Sequence, residues 1–263
     1  MKGKGFLKIT LFLLWVSLFS CLRSKPDSIL LITVESLSPD LLGCYGYKNS
    51  QTPRIDKLAE EGVTFTQAIS PSPLTLPSIV SLMTGLYPIS HGVHMDDGYR
   101  LKGEALTLAE VLKARGLRTA AFIGSSSVDI HTGLDQGFDV YRGNFPFSID
   151  PLGSGKAVKP SEELAREASR WIKAFADQPF FLWVHLGDTL QAPQDERDKN
   201  QDSYDKAMAK IDKNIGIILD AIASQGKKRS ALVVITSPCG DDFGHHGEDR
   251  HGPSASSGHG LFL

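Results

Sequence analysis

Residues that could do chemistry are concentrated in the loop that follows the apolar run at residues 232–236. An apolar strand that ends in a loop rich in Gly, Asp and His is where open α/β sheets place their ligands. Thiol and imidazole groups are softer donors, which suit zinc better than calcium or magnesium. One hypothesis is therefore that this loop binds a zinc ion, in what we call the rearranged zinc site. The donors are Cys239, Asp241, Asp242, His245 and His246.

A second group of candidate residues follows the apolar run at residues 28–34, which is typical of a strand buried on both faces. Glu35 and Ser36 come directly after it. Further along, Pro77 suits the first turn of a helix that reaches residue 83, so Thr75 would lie where the helix dipole stabilises negative charge. Thr75 could therefore act as a nucleophile, or its hydroxyl could simply cap the helix.

The elements that must position these residues alternate along the chain. Besides residues 28–34, strands are predicted over 63–68, 119–123, 180–186 and 231–236. Helices are predicted from Pro53 to a stop at Gly62, from a capping box at Thr107 to Gly116, from Ser161 to Phe175, and from Tyr204 towards Gly226. Repeated strand–helix alternation predicts an α/β fold with a mostly parallel central sheet flanked by helices on both faces.

The N-terminus has the features of an export signal. Three lysines within the first eight residues precede an apolar run at residues 9–19 that is too short to span a membrane comfortably. The sequence Leu-Phe-Ser-Cys at residues 18–21 resembles a bacterial lipobox. We therefore predict a signal peptide over 1–20, lipidation of Cys21 and a tether over 21–28, with an ordinary cleaved signal or an uncleaved anchor as alternatives. The protein would then be exported to the bacterial envelope and anchored to a membrane on its periplasmic or surface side.

Composition narrows the choice of partners. The 263 residues are 41% hydrophobic and 22% charged, which is ordinary for a soluble globular protein. The formal net charge of −2 offers no basic field for a nucleic acid. Three cysteines are too few for a disulfide-built fold, and a Cys44–Cys239 bond is possible in an oxidising compartment but is not expected.

Several segments resemble the sulfatase family, within the alkaline phosphatase superfamily. They are Leu-Gly-Cys-Tyr-Gly-Tyr at 42–47, Thr-Pro-Arg-Ile-Asp-Lys-Leu-Ala-Glu-Glu-Gly at 52–62, Leu-Met-Thr-Gly-Leu-Tyr-Pro at 82–88, and His-Gly-Val at 91–93. The resemblance runs through residues 29–263 and implies a catalytic-type domain that lacks the smaller C-terminal subdomain of the family. It also implies an ancestral hydrolysis of small sulfate or phosphate esters that depends on a divalent metal, whether calcium, magnesium or zinc.

The resemblance places the metal ligands of the family on altered residues. Glu35, followed by Ser36, stands where the family has its first metal-binding Asp, and Pro238 and Cys239 stand at an Asp–His pair that also holds the metal. Proline offers only its carbonyl, and cysteine is a soft ligand. These replacements predict a degraded metal site. By the same resemblance, His245 and His246 are remnants of the family's Gly-Glu-His-Gly-Glu loop.

The positions that would handle the ester are altered as well. The nucleophile of the family falls at Thr75, and threonine cannot form the formylglycine aldehyde that sulfatases use. Ile79 replaces an Arg that braces the nucleophile, and Leu190 replaces a His that contacts the ester anion. Asp188 is left as a turn residue or an orienting carboxylate. His91 matches a family position near the site and is expected to support the site without ligating the metal.

Two functions remain open. The first is a weak or inactive relative, a pseudoenzyme that uses the scaffold to bind an anionic ligand or a protein, or that has no activity at all. The second is an active phosphate mono- or diester hydrolase with Thr75 as nucleophile and Glu35 as the remaining acidic ligand. Losing one charge-stabilising group typically costs about 10²–10³ in rate, so several such losses favour the first function.

Overall fold

A computed structural model describes residues 27–145, 157–187, 201–226 and 230–239, with side chains from residue 205 onward in the third range. The predicted signal peptide and Cys21 lie outside these ranges. So do several candidate site residues, namely Asp188, Leu190, Asp241, Asp242, His245 and His246. Within the ranges given, no helix is both long enough and apolar enough to cross a bilayer.

Within the described ranges, five strands form one sheet in which every neighbouring pair is parallel. They are β1 (Ser28–Val34), β2 (Arg118–Ile123), β3 (Val140–Arg142), β4 (Phe180–Leu186) and β5 (Ala231–Thr236). Their order across the sheet is β3-β2-β4-β1-β5. Because all the strands run the same way, their carboxyl ends meet at one edge, and the predicted parallel sheet is confirmed.

Six α-helices connect or cover these strands in the part of the chain that is described. They are α1 (Pro53–Glu61), α2 (Thr75–Thr84), α3 (Pro88–His91), α4 (Leu108–Ala114), α5 (Ser161–Ala174) and α6 (Gln201–Ala223). The capping box predicted at the start of α4 is present. Thr107 Oγ1 accepts a hydrogen bond from the Glu110 N–H at 3.2 Å, and the Glu110 carboxylate accepts one from the Thr107 N–H at 2.8 Å.

The prediction of a strand over residues 63–68 is wrong. That segment is irregular, and Val63 and Phe65 are 66% and 55% exposed. Its β-branched residues favour an extended backbone, but strand stability depends on packing, and β1 already pairs with β4 and β5. Helix α2 begins at Thr75, so Pro77 lies in its first turn, as predicted. Proline fits there because the first-turn N–H groups of a helix have no partner within the helix.

Successive side chains of each strand point to opposite faces of the sheet, so each face packs against its own hydrophobic core. On β4, the side chains of Phe180, Leu182, Val184 and Leu186 pack against the side that carries α1, α5 and α6. Phe181 and Trp183 pack on the opposite side, with α2 and α4. Both faces of the sheet are therefore covered by helices, which confirms the predicted layer arrangement.

The family-like segment at residues 52–62 is built around a contact between α1 and α6. Buried Asp212 of α6 accepts hydrogen bonds from first-turn N–H groups of α1, including that of Arg54 at 3.0 Å. The Arg54 side chain crosses Gly216, donates to its carbonyl at 3.1 Å and forms an ion pair with Asp220. A Cβ at residue 216 would lie 2.8 Å from Arg54 Nε. This α1–α6 contact docks one helix against the other.

Candidate functional site

Glu35 and Ser36 lie at the carboxyl edge of the sheet. The Glu35 N–H donates to the Leu186 carbonyl at 2.9 Å, which extends the β1–β4 pairing by one residue. The Glu35 side chain is fully buried. Ser36 adopts a φ of +55°, a left-handed conformation that costs a residue with a Cβ about 1–2 kcal/mol. The chain therefore turns sharply directly after the carboxylate, at the kind of strained position that is common in functional sites.

His185, which the sequence analysis missed, lies beside Glu35. It is the second-last residue of β4, in register with Thr33 of β1. Its Nε2 atom is 3.7 Å from Glu35 Oε2, and its Nδ1 atom is 2.7 Å from Thr33 Oγ1. The Trp183 Nε1–H donates to the same hydroxyl at 2.9 Å. The only sequence signal was one imidazole within the apolar run at 180–186.

Thr75 is the first residue of α2 and is 5% exposed. Its Oγ1 atom lies 3.8 Å from Cys239 Sγ, so two predicted site positions are brought together. Leu74 is the N-cap residue and no side chain caps the helix from that position, so the prediction that Thr75 caps α2 is wrong. Instead, the Asp96 carboxylate accepts from the Leu76 N–H at 2.8 Å. A carboxylate therefore occupies the first turn, where the helix dipole would otherwise favour an anionic ligand.

Pro238 and Cys239 are packed into the protein at the end of β5. The Pro238 carbonyl accepts a hydrogen bond from Ser70 Oγ at 2.5 Å. Ser237 Oγ lies 3.0 Å from the Val34 carbonyl and 2.5 Å from the Cys239 carbonyl, which ties this loop to the end of β1. Cys239 itself is 2% exposed.

These donors do not fit the hard divalent cation that the resemblance implies. Calcium and magnesium are held mainly by carboxylate, carbonyl and water oxygens, with six or more ligands in all. At the strand ends, Glu35 supplies a carboxylate, but Cys239 supplies a thiol and the Pro238 carbonyl is already bonded to Ser70. Across the described ranges, no three His, Cys, Asp or Glu side chains are grouped so that they could hold a metal ion. The rearranged zinc site cannot be placed, because of its donors only Cys239 is described.

A cavity of about 480 Å³ opens beside Pro238, between α2 and the end of β5. Its walls combine apolar side chains with serine and threonine hydroxyls, and none of the described residues that line it is charged. Representative lining residues are Ile69, Ser70, Ser81, Leu82, Tyr87 and Pro238. A sulfate or phosphate ester in this cavity would therefore meet no cationic side chain from the part of its walls that the structure describes.

His91 connects α3 to α2 and is buried. Its Nε2 atom lies 3.0 Å from Ser81 Oγ, and its Nδ1 atom accepts a hydrogen bond from the Val93 N–H at 3.1 Å. Burial, and to a lesser extent the nearby His94, hold the pKa of His91 below its ordinary value of 6.5. These contacts give His91 a supporting role along α2.

The stability of the fold should depend on pH through His91. The folded-state pKa is lowered, so the native state binds fewer protons than the unfolded state at mildly acidic pH. The contribution of neutral His91 to the free energy of unfolding is complete above pH 6.5 and is lost as the pH falls through the folded-state pKa. We expect His91→Gln to flatten the pH dependence between about pH 7 and pH 5, measured by urea unfolding.

The control for this experiment is His131→Gln, because His131 is exposed. That variant should keep the pH dependence of the parent chain. If the parent chain and His91→Gln lose stability in parallel as the pH falls, His91 is not the group responsible.

Cys44 is a half-buried thiol near Asp56. The Cys44 N–H donates to Asp56 Oδ1 at 2.8 Å. Burial and the negative charge of Asp56 raise the pKa of the Cys44 thiol to about 12, which makes it unreactive at neutral pH. No disulfide joins Cys44 to Cys239, the two cysteines for which the structure gives a position.

A parallel sheet covered by helices, with polar groups at the carboxyl ends of its strands, places the described domain in the α/β class, in which ligands generally bind at that edge. The sulfatase family model matches residues 27–261, and the chain therefore belongs to the sulfatase family.

Individual relatives agree with this assignment. Human arylsulfatase A is 28% identical over 270 residues, which cover 83% of this chain and 53% of that protein. The ulvan-active sulfatase of Formosa agariphila is 37% identical over 126 residues, or 45% of this chain and 24% of that protein. The chain thus spans about a quarter to a half of the length of these curated relatives.

A solved structure shows the same fold. The phosphonate monoester hydrolase of Agrobacterium radiobacter superposes with a TM-score of 0.68 at 19% identity. The match covers 90% of this chain and 67% of that one. At this level of identity, the similarity concerns the fold.

Proposed function

We propose that this chain is a sulfatase-family pseudoenzyme, in which hydrolysis of sulfate and phosphate esters is weak or absent. The observation that carries the proposal is the packing at the end of β5. Pro238 and Cys239 stand where the family resemblance calls for two metal ligands, and the Pro238 carbonyl is bonded to Ser70. The side chains that remain there are a proline ring and a buried thiol.

The charges around the site support the same conclusion. A sulfate or phosphate ester is anionic, and its burial is costly unless positive charge compensates for it. The nearby groups at the strand ends and at the start of α2 are the carboxylates of Glu35 and Asp96. Ile79, at the position where the resemblance calls for an Arg, is fully buried in the apolar core. From these described residues, an ester anion would meet negative charge and apolar surface.

The alternative is an active phosphate ester hydrolase with Thr75 as nucleophile. Two observations favour it. Thr75 lies at the first position of α2, where the helix dipole stabilises a developing negative charge. The fold is also shared with a protein named as a phosphonate monoester hydrolase. The Asp96 carboxylate at the same helix end weighs against this alternative, because it offsets the dipole.

Steady-state assays of the purified chain decide between the two functions. We expect no turnover above background of nitrophenyl sulfate, nitrophenyl phosphate or bis(nitrophenyl) phosphate, with magnesium, calcium, manganese or zinc present. We expect Thr75→Ala to leave these rates unchanged, because a threonine without a metal or a nearby base is a poor nucleophile. Circular dichroism confirms that each variant is folded.

The alternative makes the opposite prediction. If Thr75 is the nucleophile, the parent chain turns over and Thr75→Ala loses at least about 100-fold in rate, while Thr75→Ser retains activity. Thr84→Ala is the matched control, because Thr84 lies at the other end of the same helix and donates to the Val80 carbonyl. That control should not change the rate under either function.

A further inference from the structure

A chain of buried polar groups leads from the core to Glu35. Trp183, Thr33, His185 and Glu35 are all fully buried, and their positions alternate along β4 and β1 so that they share the face covered by α2 and α4. The Trp183 Nε1 atom lies 2.9 Å from Thr33 Oγ1, and that oxygen lies 2.7 Å from His185 Nδ1. His185 Nε2 then lies 3.7 Å from Glu35 Oε2.

The direction of each hydrogen bond in this chain follows from the groups themselves. An indole N–H is only a donor, so Thr33 Oγ1 accepts from Trp183. The remaining hydroxyl proton of Thr33 has one acceptor within reach among the described residues, which is His185 Nδ1. If His185 instead donated from Nδ1, the Thr33 hydroxyl proton would be buried without that acceptor, which is unfavourable. His185 is therefore unprotonated at Nδ1 and carries its single ring proton on Nε2.

From this arrangement we infer that His185 is a positioning residue that holds the Glu35 carboxylate by presenting its Nε2–H to it. The distance of 3.7 Å exceeds hydrogen-bond range, so the contact of the neutral imidazole with the carboxylate is an interaction between a dipole and a charge. In the dry interior, a dipole aimed at a carboxylate interacts more strongly than it would in water. A ring nitrogen that carries a proton has no lone pair to give to a metal, so in this tautomer His185 faces Glu35 without being able to ligate a cation through Nε2.

The backbone of β4 leaves room for this contact. A Cβ at Gly187, two residues after His185, would lie 3.1 Å from Glu35 Oε2. Glycine at residue 187 thus lets the Glu35 side chain lie against the end of β4, towards the imidazole. The inference rests on the proposed function, because a bound metal would compete for the same Glu35 oxygens.

Nitrogen NMR of the full chain tests the tautomer directly. With ¹⁵N-labelled histidine, long-range proton–nitrogen correlations should show His185 with an unprotonated Nδ1 and a protonated Nε2 at neutral pH. Thr33→Val should remove this preference, because it deletes the hydroxyl that donates to Nδ1. An Nδ1–H tautomer in the parent chain would overturn the inference.

A double-mutant cycle tests whether His185 and Glu35 are coupled. His185→Leu removes the imidazole that faces the buried Glu35 side chain, and we expect the unfolding equilibrium constant to rise at least about 10-fold. Adding Glu35→Gln to that variant should cost less than Glu35→Gln costs in the parent chain, because the imidazole that faces the carboxylate is already absent. His185→Gln, which keeps a side-chain N–H, should lose less than His185→Leu. Additive losses would contradict the inference.

The two proposals can fail separately. If the proposed function fails, metal analysis and the ester assays show a stoichiometric cation and turnover, whatever the cycle gives. If the present inference fails on its own, the chain remains inactive and binds no stoichiometric metal, while the cycle is additive or NMR shows the other tautomer.

Discussion

The variant Pro238→Asp, Cys239→His should bind Mn²⁺ or Ca²⁺ at least about 100-fold more tightly than the parent chain, because affinity rises with the number of charged ligands. Residues 238 and 239 follow β5 after one intervening residue, Ser237, and β5 pairs with β1 in the register Thr33 to Thr236. A carboxylate and an imidazole placed there would lie next to the strand end that carries Glu35. The Ser70 hydrogen bond can persist, since any residue at position 238 keeps the backbone carbonyl.

Isothermal titration calorimetry and metal analysis after dialysis measure this gain. The matched control adds Glu35→Gln to the double variant. We expect that control to lose most of the gain, because Glu35 would supply the carboxylate from β1. An equal gain in the control would mean that the new ligands bind a cation elsewhere, without the strand-end geometry.

Gly124→Ala should destabilise the fold by about 2–4 kcal/mol, in the range of strongly overpacked core positions. Gly124 follows β2, and its N–H donates to the His185 carbonyl at 2.8 Å. A Cβ at residue 124 would lie 2.6 Å from that carbonyl oxygen and 2.7 Å from Leu164 Cδ1. The carboxyl ends of β2 and β4 would therefore have to separate, and the movement would displace His185 relative to Glu35.

Gly103→Ala is the matched control, since no atom lies within 4 Å of a Cβ built there. Its effect on the free energy of unfolding should stay within about 1 kcal/mol, in either direction. Urea unfolding followed by circular dichroism measures both variants. Similar losses at residues 103 and 124 would show that crowding at the strand ends is not the cause.

The central sheet could be predicted because its strands are continuous apolar runs, as at residues 28–34 and 180–186. The same approach failed over residues 63–68, where β-branched side chains favour an extended backbone but no sheet edge receives them. The sequence analysis missed strand β3 because three residues are too few to show a hydrophobic periodicity. Only their pairing with β2 identifies these residues as a strand. Local preference therefore predicted strands only where burial agreed with it.

The candidate site was predictable to the extent that it follows strand and helix ends. Glu35, Thr75 and Cys239 lie at such ends, and the structure places Thr75 against Cys239. Asp96 and His185 were missed because their partners are distant in sequence. Asp96 reaches the start of α2 from 20 residues away, and His185 meets Thr33 across 152 residues.

Residues 52–62 dock α1 against α6, so the presence of this segment in a sequence indicates the fold and does not by itself indicate hydrolysis. Among the described residues, the hydrogen-bond and ion-pair partners of Arg54 and Asp212 lie on α1 and α6, where they secure a helix. A lineage can therefore lose turnover while keeping this stretch, provided that the protein still needs to assemble. A count of ester hydrolases that relies on sequence segments of this kind would include inactive members of the fold together with active enzymes.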